Sequence, residues 1–97
     1  MARKYKVFWS QEAKRQVDNI LTYLRQNFGE KEADNFLDLL LHFEQTIMQF
    51  PKAFKASSKF KNCRLGLVHK HVTAIYKTSG SEITILTVFD NRANIQR

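Results

Sequence analysis

Cysteine, glycine and proline are scarce in this sequence, whose 97 residues include one cysteine, three glycines and one proline. The single cysteine, Cys63, excludes an internal disulfide and fits a reducing compartment such as the cytoplasm. One cysteine and three scattered histidines give no pattern for a structural zinc site, so neither a metal nor a cofactor is expected. The few glycines and prolines argue against a disordered chain, and the length indicates one domain over residues 1–97.

Long apolar runs are missing as well, and no stretch is apolar enough to span a bilayer. The basic start, residues 1–6, lacks the apolar core of a secretory signal. The sequence also contains no glycine-rich phosphate loop, no paired catalytic carboxylates and no Ser-His-Asp grouping. We therefore expect a cytoplasmic protein that neither associates with membranes nor processes a small-molecule substrate.

Acidic residues are absent from one long stretch, between Gln45 and Ser81. The rest of the chain balances its charges, so the formal net charge of +7 arises within this stretch. One-sided charge in a folded domain favours binding to a polyanion or an acidic protein. The basic residues of the stretch are Lys52, Lys55, Lys59, Lys61, Arg64, Lys70 and Lys77.

The first half of the chain predicts a strand followed by two helices. Residues 5–9 alternate as a short strand does, and Ser10 stands where a helix N-cap belongs. Gly29 is placed to end the first helix, and Pro51 ends a second helix that spans residues 30–50. The short link predicts an antiparallel helical hairpin. The predicted inner faces comprise Ala13, Val17, Ile20, Leu21, Leu24 and Phe28 in the first helix, and Ala33, Phe36 or Leu37, Leu40, Phe43, Ile47 and Phe50 in the second.

The second helix is apolar over more than one stripe, because Leu37, Leu41 and Met48 widen its apolar face. Two interpretations account for this width. The helix either contacts both its partner helix and a sheet, or leaves a surface that another protein covers.

The second half of the chain predicts a basic loop over residues 51–61 and then three strands. The strands are expected at residues 63–68, 72–77 and 82–89, and their short links predict an antiparallel meander. The predicted fold is therefore α+β with the order β-α-α-β-β-β, an antiparallel sheet with a helical hairpin packed on one face.

Two arginines are candidates for an anion site. Arg64 begins the second predicted strand and Arg92 follows the fourth, and these strand ends are expected on the same side of the sheet. A pair of guanidinium groups there, near Lys59 and Lys61, would bind a phosphate or carboxylate in a bidentate manner. Alternatively, each arginine pairs with a local carboxylate such as Asp90 or is solvated.

Four further side chains have both a chemical and a structural interpretation. His69 and His71 flank Lys70 in a predicted turn, where a neutral imidazole is a candidate general base and simple exposure is the alternative. Tyr76 is either catalytic or half-buried packing with a hydrated hydroxyl. Cys63 lies near Lys61 and Arg64, but no sequence pattern of a thiol enzyme accompanies it.

Several segments, taken in order, form a recognisable set that covers nearly the whole chain. They are VFWSQEA (7–13), ILTYL (20–24), a helix that ends near Phe50 and Pro51, CRLGLV (63–68), HVTAIY (71–76) and ITILTVFDNR (83–92). This ordered set resembles the RelE/ParE superfamily of toxins from bacterial type II toxin–antitoxin modules, and the ParE branch more than the RelE branch.

This resemblance implies a growth-inhibiting toxin of the plasmid-stabilisation type, neutralised by a cognate antitoxin that wraps its surface. RelE-like members cleave mRNA on the ribosome, hold phosphates with arginine and lysine, and use a C-terminal Tyr or His for proton transfer. Arg64 and Arg92 match the arginines of that pattern, and the lysines of residues 52–61 match its basic segment in position. After Arg92 only Ala-Asn-Ile-Gln-Arg follows, without a Tyr or His, which favours the ParE type. That type poisons DNA gyrase by binding it and lacks the nuclease residues.

Three hypotheses follow. The first is a ParE-like toxin that binds DNA gyrase and catalyses no reaction, with a surface of Lys52, Lys55, Lys59, Lys61, Arg64, Lys70 and Arg92 as its candidate target- or anion-binding site. The second is a ribosome-dependent endoribonuclease that uses Arg64, Arg92 and His71. The third is a basic nucleic-acid-binding domain without catalysis.

Overall fold

A computed structural model describes residues 5–91, which form a helical hairpin packed on one face of a five-stranded sheet. The predicted order of elements is confirmed, with one addition in the basic loop: residues 55 and 56 form a short strand. The elements are β1 (Lys6–Trp9), α1 (Gln11–Asn27), α2 (Glu30–Gln49), β2 (Lys55–Ala56), β3 (Cys63–His69), β4 (Val72–Ser79) and β5 (Glu82–Asp90).

The sheet has the strand order β1-β5-β4-β3-β2. The predicted antiparallel meander of β3, β4 and β5 is confirmed, and β2 adds to it in antiparallel register. β1 pairs with β5 in parallel, so the sheet is mixed. A parallel pair needs a long connection, and here both helices and the meander lie between the two strands.

Both ends of α1 follow from local chemistry. The Ser10 hydroxyl accepts a hydrogen bond from the Ala13 N–H at 2.9 Å and donates one to the Leu86 carbonyl at 2.8 Å, so the N-cap also joins the helix to β5. At the other end, the Gly29 N–H donates to the Leu24 carbonyl. Gly29 has φ 101°, a conformation that favours glycine, which is why the chain turns here into α2.

The inner face of α2 is as predicted except at its end. Ala33, Phe36, Leu40, Phe43 and Ile47 are buried. Phe50 was expected on this face, but it follows the last helical residue and is 59% exposed. The same correction applies to Phe28, 58% exposed, which follows the last residue of α1 and contacts the ring of Tyr23 instead.

The two faces of the sheet differ in their covering. On the inner face, alternate strand residues such as Ala74, Tyr76 and Ile85 are fully buried beneath the helices. The opposite face, called the outer face below, has no helix over it in the part of the chain that the structure describes. No helix among residues 5–91 is long and apolar enough to cross a membrane.

Candidate functional site

The outer face presents apolar and basic side chains in rows set by the strand register. One row runs from Lys55 through Leu65 and Ile75 to Thr87, and directly opposed residues of this kind project from the same face. A second row joins Leu67, Thr73 and Phe89, and a third carries Lys77, Thr84 and Phe8. Leu67 is 59% exposed and Leu65 37% exposed. The outer face therefore carries an apolar strip that is exposed at Leu65 and Leu67 but not at Ile75, which is 8% exposed, and lysines share this face.

The basic segment, residues 52–61, follows α2 and leads into β3. Its four lysines are exposed. Ion pairs of the helical hairpin join Arg15 to Glu12 and Arg25 to Glu30, whereas none of the four lysines forms an ion pair with a residue of the described chain. The positive charge of this segment is thus left available to a partner.

Arg64 and Tyr76 hold the start of the basic segment against the sheet. They are paired across β3 and β4 on the inner face. The Arg64 Nη1 donates to the Phe54 carbonyl oxygen at 2.7 Å, and the Tyr76 hydroxyl donates to the Pro51 carbonyl oxygen at 2.7 Å. Burial raises the pKa of the Tyr76 phenol, while the nearby Arg64 charge acts in the opposite direction. The sequence interpretation of Tyr76 as half-buried packing with a hydrated hydroxyl is therefore corrected. The residue is fully buried, and its hydroxyl is hydrogen-bonded to the Pro51 carbonyl.

Aromatic packing reinforces these two hydrogen bonds. The ring of Phe54 lies 5.2 Å from that of Phe43 and 6.4 Å from that of Tyr76, measured between centroids. The cluster closes over Gly66, where an added Cβ would lie 2.3 Å from an edge carbon of Phe43. Glycine is required at this position for space, because two elements meet there without room for a side chain.

The two histidines lie at the opposite end of the meander from Arg64. The His71 N–H donates to the His69 Nδ1 at 3.2 Å, and the Asn91 N–H donates to the His71 carbonyl at 2.6 Å. Arg64 is opposite Tyr76, four residues along β4 from Val72, which corresponds to about 13 Å of strand. The candidate base His71 and Arg64 therefore do not share a site.

The sheet register also corrects the expectation for the strand ends that carry the two arginines. β3 and β5 both run antiparallel to β4, so the start of β3 and the end of β5 lie at opposite ends of the sheet. Asn91, which precedes Arg92, is bonded beside His71 and not beside Arg64. Arg92 itself lies outside the described residues, and its participation in an anion site stays a prediction.

The basic candidates therefore fall into two groups. The lysines of the basic segment and Arg64 lie near β2 and the start of β3. Lys77, which is paired with Cys63, lies at the same end of the meander. Lys70 lies in the turn between β3 and β4, with the histidines. Sequence reasoning did not include Lys77 in the site. Strand alternation could have placed it on the same face as Lys55, had the strand β2 been recognised.

A second apolar surface lies along the helices. A shallow groove is lined by Trp9, Lys14, Val17, Asp18 and Leu40, at the junction of α1, α2 and β1. The Trp9 indole N–H donates to Glu44 of α2 at 3.2 Å, which fixes one wall of this groove. Leu41, part of the surplus apolar surface predicted for α2, is 57% exposed.

Within residues 5–91 no group of three or more His, Cys, Asp or Glu side chains is arranged to hold a metal ion. The features of the described chain that suit recognition are instead basic and apolar surfaces.

A comparison with protein-family models decides the relationship. Residues 7–95 match the model of the ParE toxin of the type II toxin–antitoxin system, parDE. The chain belongs to the ParE toxin family. The match covers both helices and the whole meander, and it confirms the resemblance found in the sequence.

Solved structures share this ParE fold at low sequence identity. The chromosomal ParDE toxin–antitoxin system from P. aeruginosa contains a chain of 16% identity and TM-score 0.77, with 92% of this chain and 98% of that chain covered. The E. coli DinJ-YafQ toxin–antitoxin complex gives 10% identity and TM-score 0.65, with coverage of 93% and 96%. A copper-bound mutant toxin from Helicobacter pylori gives 16% identity and TM-score 0.60, with coverage of 92% and 97%. No curated protein sequence matches the chain.

Proposed function

We propose that this ParE family member is a cytoplasmic toxin that inhibits bacterial growth by binding DNA gyrase, without catalysing a reaction itself. The observation that carries the proposal is the basic segment, whose four lysines are exposed and without ion pairs to described residues. Such a surface attracts a large anionic or acidic target, and membership of the ParE family makes the DNA–gyrase complex the leading one.

The geometry favours binding over catalysis. Arg64 is hydrogen-bonded to the backbone of its own chain, and the histidine that was its candidate partner lies at the other end of the meander. A phosphodiester-cleaving site needs its cations and its proton-transfer group around one phosphate. The ribosome-dependent endoribonuclease, using Arg64, Arg92 and His71, is the alternative.

Controlled induction in a bacterial host distinguishes the alternatives. Gyrase binding predicts growth arrest with an SOS response, altered plasmid supercoiling and intact mRNA. Ribosome-stimulated mRNA cleavage that is lost in Arg64→Ala would favour the endoribonuclease and overturn the gyrase proposal. Nucleic-acid binding with a steep salt dependence and no growth arrest would favour the third hypothesis, a non-catalytic binding domain.

The second part of the proposal is a cognate antitoxin, since the similar structures include two toxin–antitoxin systems. We propose that a segment of this antitoxin covers the apolar strip of the outer face, and that the segment is acidic because lysines share this face. Leu67 is the most exposed apolar side chain of the strip.

Charge substitutions at Leu67 test this surface. Leu67→Glu should abolish co-purification of the co-expressed antitoxin, the product of the adjacent reading frame, whereas Leu67→Lys should retain more of it. The matched control is Thr22→Glu on the exposed side of α1. Equal co-purification of Leu67→Glu and wild type would place the antitoxin elsewhere, with the groove along the helices as the next surface to test.

A further inference from the structure

The basic segment is ordered although it contains only two strand residues. The Ser57 hydroxyl accepts hydrogen bonds from the N–H groups of Lys59 and Phe60, at 3.0 and 2.8 Å. The Ser57 N–H donates to the Cys63 carbonyl at 2.8 Å. These bonds shape the second half of the segment internally, but they do not fix where its first half lies on the sheet.

Two side chains of the sheet hold the first half, in addition to the pairing of β2 with β3. Arg64 and Tyr76 project from adjacent strands and donate to carbonyls three residues apart, those of Phe54 and Pro51. Lys52 lies between these two anchored residues, and Lys55 follows directly after them. The position of Lys52 therefore depends on the two hydrogen bonds, and that of Lys55 depends on them together with the pairing of β2 with β3.

Arg64 and Lys55 point to opposite faces of the sheet. Arg64 is paired with the buried Tyr76 on the inner face, whereas Lys55 is paired with Leu65 on the outer face. Arg64 therefore cannot bind the same outer-face ligand as Lys55, and one of its donor atoms is already occupied by Phe54. An arginine suits this position because its planar, always charged guanidinium directs N–H groups over a longer reach than lysine.

We propose that Arg64 is a positioning residue, which orders the basic segment through the Phe54 carbonyl and, together with Tyr76, presents its lysines in a fixed arrangement. This proposal rests on the proposed function in one respect, namely that the basic segment contacts the target. It assigns to Arg64 a role other than the direct phosphate contact that the sequence pattern implies.

Three variants separate positioning from direct contact. Arg64→Lys keeps the positive charge but shortens the reach. Tyr76→Phe removes one hydroxyl and no charge. Lys59→Gln removes a charge from the segment and leaves both anchoring bonds in place, so it is the matched control.

The first measurement is backbone hydrogen exchange of Ala53 and Ser57, compared with the core residues Ala74 and Ile85. In Arg64→Lys and Tyr76→Phe the exchange of the two segment amides should accelerate about fivefold, the factor that corresponds to one hydrogen bond of about 1 kcal/mol. Core amides that exchange on global unfolding should accelerate by no more than the same factor, and Lys59→Gln should exchange like wild type at every one of these amides. Unchanged segment exchange in Arg64→Lys would overturn the proposal.

The second measurement is growth arrest on induction, normalised to soluble protein. Positioning predicts that Arg64→Lys and Tyr76→Phe weaken growth arrest alike, although one keeps its charge and the other never had one. Loss of arrest in Arg64→Lys with wild-type exchange would identify Arg64 as a direct target contact. If wild type itself causes no arrest, the proposed function fails, and the exchange rates still decide whether Arg64 orders the segment.

Discussion

The inner and outer faces of the sheet are built from alternate residues of the same strands, yet the two faces differ in their exposure to solvent. Tyr76 on the inner face is fully buried, while Leu67 on the outer face is 59% exposed. Lys55 and Lys77 belong to the outer rows, the fully buried side chains of the inner face carry no charge, and Arg64 on the inner face is only partly buried. The comparison teaches that one set of alternate residues builds the core, while the other set leaves apolar and basic side chains at the surface.

The largest contrast between the faces should appear on truncation of one apolar side chain from each. Ile85→Ala removes a fully buried side chain beneath α1 and should lower the free energy of unfolding by about 2–5 kcal/mol. Leu67→Ala should change it by no more than about 0.5 kcal/mol, because the site is already hydrated. Urea unfolding of both variants measures the difference, and a comparable loss in the two would contradict the division of the faces.

A smaller effect is expected where the inner face has no room. Gly66→Ala should destabilise the protein by about 1–3 kcal/mol, because its Cβ would collide with Phe43 and press on Phe54. Gly80, in the turn between β4 and β5, has open space around it and φ 62°, a conformation that asparagine tolerates. Gly80→Asn is thus the control, expected to cost less in thermal unfolding. A larger loss of stability in Gly80→Asn than in Gly66→Ala would show that backbone conformation, and not space for a side chain, determines the cost of replacing these two glycines.

Tyr76→Phe should cost about 1 kcal/mol, less than Ile85→Ala, since only the hydroxyl is lost and the ring remains packed. The Pro51 carbonyl would lose this partner, and the start of the basic segment would loosen before the core does. Chemical denaturation gives the free energy. A change near zero would indicate that water replaces the hydroxyl without cost.

The smallest effect is a pH dependence specific to Tyr76. Its pKa is raised in the folded state by burial, so below its ordinary pKa near 10 the contribution of this group to stability is complete. As the pH rises above 10 the unfolded state loses its proton first, and the stability of wild type should fall relative to Tyr76→Phe. Subtracting the two profiles, measured from pH 8 to 11, removes the contributions of lysines and of the other tyrosines. A flat difference would contradict the raised pKa of the Tyr76 phenol.

Local patterns were sufficient to predict most of the fold. Ser10, Gly29 and Pro51 mark helix ends through chemistry that acts within a few residues, and the short links of the meander leave few alternatives for its pairing. The ends of the apolar stripes were overextended, at Phe28 and Phe50, because a helical pattern does not show where the packing partner stops.

The candidate site was harder to predict because it depends on register and on contacts between distant residues. No local sequence pattern predicts that Arg64 donates a hydrogen bond to the Phe54 carbonyl or that Tyr76 donates one to the Pro51 carbonyl. The two-residue strand β2 is too short to produce a pattern, and without it Lys55 cannot be assigned to a face. The expectation that the two arginine-bearing strand ends share one side of the sheet is wrong because β3 and β5 both run antiparallel to β4, which puts the start of β3 and the end of β5 at opposite ends.

The parallel pairing of β1 with β5 also bears on how the protein folds during its synthesis. Ser10, directly after β1, is bonded to Leu86 of β5, 76 residues later. A nascent chain on the ribosome can form the helical hairpin early, but it cannot complete the sheet until β5 has emerged from the exit tunnel. We expect slow closing of this long-range contact to set the rate at which the newly made chain reaches its complete fold.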